Sequence, residues 1–507
     1  MIHFRFNRPT VVAACACVCL GMAFPLTAQP PSAPPAAPAQ PGASVQGEQR
    51  WRGAITLPNG MKLDFGVTLS AGAEGKPASG TMDIPMQGVS KAALSDVVVG
   101  ADQLKFTLAM PGVPPAMHAV IEVRPAADGK TAAGQLSQGG VNAPVTMELI
   151  PPGASADIGP KRPQDPKPPF PYAAREVTYA NAADGTKLAG TLTIPEGPGP
   201  FPAVVMITGS GPQDRDEALL GHRPFLVIAD YLSRRGFAVL RADDRGVGGS
   251  GGSVSDATAQ DSVGDVLAAV ALLHTVPEID RTHIGVIGHS EGGIVGPMAA
   301  AQSQDIAFVV MLAGTGIKGR DILTMQSEAI YLAAGLDKVT VAPVIEQHRK
   351  LMDLVEKDAP GPEVEAAIKA LSKSQQGLAP GAAAMTDAQL DAAVKQQMAV
   401  LDTKWFRSFL FYDPRVSLRK VKVPVLALNG ELDVQVPPKA NLPEIENALK
   451  EAGNTDVTAR ELPKLNHLFQ TATTGSPNEY AIIDETISPQ VLEIIAEWLN
   501  ERTHAAK

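Results

Sequence analysis

Residues 284–293 read Ile284-Gly285-Val286-Ile287-Gly288-His289-Ser290-Glu291-Gly292-Gly293, an apolar run that breaks into a glycine-rich turn. Ile284, Val286 and Ile287 predict a short buried strand, and residues 293–302 predict a helix behind the turn. Gly288-x-Ser290-x-Gly292 has the spacing of a nucleophile elbow. There a serine is held in a strained conformation at the end of a strand, and small neighbours let adjacent chains close in. A helix starting beside it points amide N–H groups toward negative charge developing near the serine. The five-residue pattern alone is weak, but with a strand before it and a helix after it Ser290 becomes the candidate nucleophile.

The flanking sequence repeats this alternation. Strands are expected at 203–207, 238–240, 308–312 and 425–428, and helices at 225–235 and 263–273. Val263, Val266, Leu267, Val270 and Leu273 form one apolar helical stripe. Near the C-terminus Ser488 is a suitable N-cap with Pro489 after it, and Val491, Ile494, Ile495, Trp498 and Leu499 make the buried face of a last helix. Strands alternating with helices predict an α/β fold, a mostly parallel sheet covered on both faces. Residues 316–421 are helical in character and too long for a loop, so a helical cap inserted between two strands is expected. The cap holds Trp405, Phe406, Phe409, Phe411 and Tyr412 in a chain with only 5% aromatics. Trp405 and Phe409 are the residues expected to limit the size of a bound substrate.

A serine needs a base, and nine histidines are available. His467 follows the last expected strand and precedes the last helix, the place for a base acting on a serine after a central strand. His289 abuts Ser290, but neighbouring side chains on a turn point apart, and His222 is expected in a supporting position. The acid that orients the base should follow the strand at 425–428. Asp433 is preferred there, with Glu431 as the fallback, and its task is to hold the imidazole tautomer. The chain order Ser290, Asp433, His467 is that of the α/β-hydrolases. Oxyanion donors are expected at the amides of Ser210 and Glu291, with Gly211 in reserve, since Pro212 has no N–H. Asp214, Arg215 and Asp216 either meet substrate or brace their loop. Asp243-Asp244-Arg245-Gly246-Val247-Gly248 lacks the lysine of a phosphate loop and is expected to be a tight turn.

Ahead of this region, Met61, Leu63, Phe65, Val67 and Leu69 alternate with polar or small residues after Asn59-Gly60, and similar runs recur up to Leu149. Residues 46–155 are therefore expected to form an antiparallel β-rich domain. A proline-rich linker at 156–171 should separate it from a domain at 172–507. Arg5 and Arg8 precede an apolar run ending near Phe24, with small residues up to Ala28, so residues 1–28 read as a signal peptide and 29–45 as a Pro/Ala linker. The protein is expected to be exported, periplasmic or secreted, with no membrane span. Cys15, Cys17 and Cys19 are its only cysteines, which excludes disulfides and cysteine–zinc sites from the body of the chain. A net charge of −10 without a basic block argues against nucleic acid as a partner.

The elbow, the loop Gly209-Ser210-Gly211-Pro212-Gln213-Asp214-Arg215-Asp216 and the stretch 243–248 together resemble exported bacterial carboxylesterases of the α/β-hydrolase superfamily, related to serine aminopeptidase-like hydrolases. The resemblance implies an α/β-hydrolase fold, often with a β-rich domain ahead of it. It also implies hydrolysis of small-molecule, short-chain carboxylic esters through an acyl-enzyme, without a metal or cofactor. A peptidase of the aminopeptidase-like branch is the alternative. A non-catalytic surface-binding protein is disfavoured, because all three triad positions are filled.

Overall fold

The computed structural model describes residues 48–503, apart from 57–61, 73–76, 85–88, 110–117, 139–140, 152, 155–161 and 379–384. The expected signal peptide and first linker, the three cysteines, Asn59-Gly60 and the first residues of the expected second linker lie outside the described residues. The described chain divides into two compact units, the second beginning at Arg162.

In the first unit, antiparallel strands close into a barrel: β1 (Glu48–Thr56), β2 (Lys62–Ser70), β3 (Ser79–Ile84), β4 (Val89–Val99), β5 (Leu104–Leu108), β6 (Ala119–Pro125), β7 (Thr131–Gln138) and β8 (Val141–Leu149). Successive side chains on a strand face opposite ways, so the alternation in the sequence becomes an inside and an outside. Leu63, Phe65, Val67 and Leu69 of β2 are buried, as are Trp51, Phe106 and Ile121 of other strands. Pairing of β1 with β8 (Ala54 opposite Thr146) closes the ring and removes the sheet edges.

The second unit is built on strands β9 (Tyr172–Ala180), β10 (Lys187–Pro195), β11 (Phe201–Ile207), β12 (Ala238–Ala242), β13 (Ile279–His289), β14 (Val309–Leu312), β15 (Val425–Gly430) and β16 (Val457–Leu462). Their order across the sheet is β16-β15-β14-β13-β11-β12-β10-β9. From β12 to β16 neighbours run parallel, while β10 is antiparallel to both β9 and β12. This is the α/β-hydrolase topology, so the fold expectation is met. Residues of one strand divide between two cores: Ala203 and Val205 pack on one face, Val204 and Met206 on the other. Helices α1 (Pro224–Ser233) and α11 (Pro489–Thr503) cover the second face, with Phe225, Ile228, Val491 and Ile495 buried there. Helices α2 (Ala259–Thr275), α3 (Gly292–Ala300) and α10 (Pro438–Glu451) cover the first.

Between β14 and β15 come the cap helices α4 (Gly319–Ala333), α5 (Lys338–Glu356), α6 (Gly361–Gln376), α7 (Asp387–Leu401), α8 (Lys404–Phe411) and α9 (Arg415–Leu418). Arg162 to Asp165 do not behave as a spacer. The Arg162 guanidinium donates to the carbonyls of Leu220, Ala481 and Ile483 at 2.8, 3.1 and 2.9 Å, and the Gln164 carboxamide accepts from the amide of Thr486 at 2.6 Å. Since β11 lies between β12 and β13, the loops after β11 and β13 diverge at the carboxyl edge of the sheet. That crevice is where open α/β sheets bind ligands.

Candidate active site

Ser290 sits between β13 and α3 with φ +53°, left-handed backbone that a non-glycine residue keeps only when its surroundings enforce it. Its amide donates to the carbonyl of Leu312 at 2.8 Å and its carbonyl accepts from Gly293 at 2.9 Å. The glycines on either side are needed for space. A Cβ on Gly288 would lie 2.0 Å from the carbonyl oxygen of Gly292, and one on Gly292 would lie 2.2 Å from that of Ile207. Gly288→Ala should therefore cost at least about 3 kcal/mol, because backbone cannot move aside as a side chain can. A thermal melt checks this, and an unchanged melting temperature would contradict the packing.

The expected base and acid are paired. His467 Nδ1 lies 2.9 Å from Asp433 Oδ2, with both side chains buried. The other carboxylate oxygen of Asp433 accepts the amides of Gln435 and Val436, each at 2.8 Å, so the loop after β15 holds the acid in place. Glu431, the fallback, is exposed and accepts the amide of Lys464 at 3.0 Å, away from the imidazole. Ser290, His467, Ser210 and Gln435 line one cavity of about 40 Å³. Among the described residues, the amides of Ser210 and Glu291, the expected oxyanion donors, donate to no acceptor. Gly209 N–H is committed to Glu217 Oε1 at 2.7 Å.

The charged loop after β11 is braced by β9, β12 and the turn after β12. Arg215 pairs with Asp243 and Glu176 at 2.8 and 2.6 Å, and Asp216 pairs with Arg241. Asp244 accepts from the Thr208 hydroxyl at 2.6 Å and from Gln213 N–H at 2.9 Å, and burial pushes its carboxyl up to about 8. His222 lines the serine cavity as expected. Burial first, and then the Arg162 charge, push it down to about 4, which leaves it neutral beside Thr486 and Tyr480.

Two features of the site were not anticipated. His289 does not point away from the site; its ring centre is 4.9 Å from that of His467, and it contacts Glu217. The cap reaches the elbow through Trp405, whose indole N–H donates to both carboxylate oxygens of Glu291 at 3.0 Å. Burial raises the Glu291 carboxyl, and the bonds from Trp405 and Ser210 oppose that only in part. Trp405 and Glu291 line a second cavity of about 90 Å³ that shares Gly209 with the serine cavity. Phe409 is buried inside the cap, where it fills the space left by Gly319, so it does not face the site. The cap also reaches inward through Gln326, which donates to the Gln435 side chain at 3.1 Å.

Sheet topology and a serine elbow at the crevice define an α/β-hydrolase. A model of the X-Pro dipeptidyl-peptidase (S15) family matches residues 184–455, more than half of the chain. The chain belongs to that family. The match takes in Ser290 and Asp433 and ends before His467. Esterase EstD of Thermotoga maritima is 28% identical over 315 residues, which are 62% of this chain and 65% of EstD. The uncharacterised protein PA2218 of Pseudomonas aeruginosa is 32% identical over 148 residues, 28% of this chain and 38% of that protein. The chain thus spans less than two thirds of the length of either relative. Among solved structures, the α/β-hydrolase GrgF from Penicillium sp. sh18 overlaps with a TM-score of 0.41 at 18% identity, covering 66% of this chain and 99% of GrgF.

Proposed function

We propose that this protein is a serine esterase acting on short-chain carboxylic esters of small molecules, exported by its N-terminal 28 residues. The observation that carries the reading is the 2.9 Å bond between His467 and Asp433 on a cavity shared with Ser290. Ser290 Oγ attacks the ester carbonyl carbon while His467 Nε2 takes its proton. The oxyanion is met by the amides of Ser210 and Glu291. His467 then gives the proton to the leaving alcohol, and water repeats the sequence on the acyl-enzyme. No residue of this scheme calls for a metal. Among the described residues, no helix is long and apolar enough to cross a membrane.

A second reading, a peptidase that releases X-Pro dipeptides, is favoured by the family match over residues 184–455. Parallel assays on p-nitrophenyl acetate and butyrate and on an aminoacyl-prolyl anilide decide between them. Ester turnover well above anilide turnover is expected, and the reverse order would select the peptidase.

Trp405 is the cap residue expected to set acyl-chain length, since it walls the cavity next to the oxyanion donors. Trp405→Ala should move the preference toward longer chains by up to about fourfold per methylene, the effect of about 0.8 kcal/mol of burial. Acetate turnover should fall by less than the gain at longer chains. Phe409→Ala should instead destabilise the fold by about 3–5 kcal/mol without a change of preference. A series of p-nitrophenyl esters checks both, and an unchanged profile in Trp405→Ala would remove Trp405 from the acyl pocket.

A further inference from the structure

His289 has an acceptor at each ring nitrogen. Nδ1 is 3.0 Å from Glu217 Oε1, and Nε2 is 3.1 Å from the carbonyl oxygen of His467. A backbone carbonyl has no proton to give, and a neutral imidazole has a single N–H. Neutral His289 would therefore turn a lone pair toward one of the two oxygens. Only the imidazolium donates at both nitrogens. The proton could sit on Glu217 instead, but Oε1 already accepts Gly209 N–H at 2.7 Å, and that bond favours the carboxylate. The two side chains are 9% and 8% exposed, so each charge needs the other. Glu217 itself has φ +51°, held there by its surroundings.

We propose that His289 is a positioning residue which, as an imidazolium paired with Glu217, ties the loop of the oxyanion donors to the loop of the catalytic base. Glu217 fixes Gly209, the neighbour of Ser210, and His289 fixes the backbone of His467. The residue between these anchors is bonded directly to Ser290 in the chain. The proposal rests on the serine-hydrolase reading above. The groups around His289 are Glu217, the His467 ring with Asp433 behind it and neutral His222 on the same cavity, with Asp244 near enough to Glu217 to feel its charge. Burial alone would lower the imidazole, but the Glu217 charge and hydrogen bond, with the His467 carbonyl and Asp433, together hold His289 above the ordinary histidine range.

The sign follows from that direction. While the pair keeps its proton, both contacts attract. As pH rises through the raised value the proton leaves, one contact becomes repulsive, and the two loops lose their tie. A base must be deprotonated to accept the serine proton, so rising pH does not disable it, and a fall in reactivity at alkaline pH has to come from another group.

The rate at which a fluorophosphonate probe labels Ser290, followed by intact mass against pH, reads this without knowledge of the substrate. The parent should rise on the acid side and descend on the alkaline side. Replacing the ion pair by two amides, in the double variant His289→Gln with Glu217→Gln, leaves a donor for the His467 carbonyl and an acceptor for Gly209. It should label between about tenfold and a hundredfold more slowly and show no alkaline descent. Glu217→Gln alone should also lose the descent, which covers the case of a double variant that fails to fold. A parent without an alkaline limb overturns the proposal, and so do variants that are slower but keep it. Absence of labelling at Ser290 at every pH overturns the serine reading itself, a result distinct from a wrong pH profile.

Discussion

Ser290→Ala should fold like the parent and lose hydrolysis by on the order of a millionfold in kcat. Alanine keeps the Cβ, so the φ of +53° at this position is no harder to hold, and the amide bond to Leu312 at 2.8 Å is untouched. His467→Ala should be about as slow, and the double variant no slower than either, because nucleophile and base act as one unit. His467→Ala also leaves buried Asp433 without its imidazole partner, so its melting temperature should fall while that of Ser290→Ala does not. Single-turnover and steady-state rates on an activated ester, measured beside thermal melts, check the set. Substantial turnover in purified Ser290→Ala would remove the serine from the mechanism.

Asp433→Asn is expected to cost about 10⁴-fold in kcat, although its shape is almost that of aspartate. The loss comes from proton direction. Asparagine Oδ1 can still accept the amides of Gln435 and Val436, both at 2.8 Å, so the loop stays in place. That leaves the NH₂ group against His467 Nδ1, where the carboxylate oxygen stood at 2.9 Å. A donor there selects the imidazole with its proton on Nε2, and such a ring cannot take the proton of Ser290. The same NH₂ would also face the Asn429 amide nitrogen, which now donates to Asp433 at 3.2 Å. Glu431→Gln, by contrast, should stay within about twofold, since its carboxylate is exposed and serves Lys464. Comparing kcat/KM of the two variants decides the acid, and a larger loss in Glu431→Gln would reverse the assignment.

The alternation of strands and helices, the elbow and the chain order of Ser290, Asp433 and His467 are all legible in the sequence. Each is a local pattern: an apolar period, a glycine spacing, or a polar residue just past a buried strand. A folded α/β sheet brings the ends of its strands to one edge, so residues that follow β13, β15 and β16 meet without the sequence naming their contacts. The β-rich character of the first unit is legible in the same way, although its closure depends on the pairing of β1 with β8, at opposite ends of the segment.

His289 lay outside that kind of reading. As the neighbour of Ser290 it was expected to point away, and its importance depends on Glu217, 72 residues earlier, and on His467, 178 residues later. Trp405 and Glu291, 114 residues apart, are a similar case: an aromatic residue of the cap and an acid of the elbow with no shared pattern. The sequence by itself determined which backbone segments exist and which polar residues stand at their ends, because propensity, periodicity and steric demand act over a few residues. Tertiary structure alone decided which of those residues face one another and which atom each hydrogen bond uses. Burial and charge state follow from such meetings between distant segments, and no local pattern encodes them.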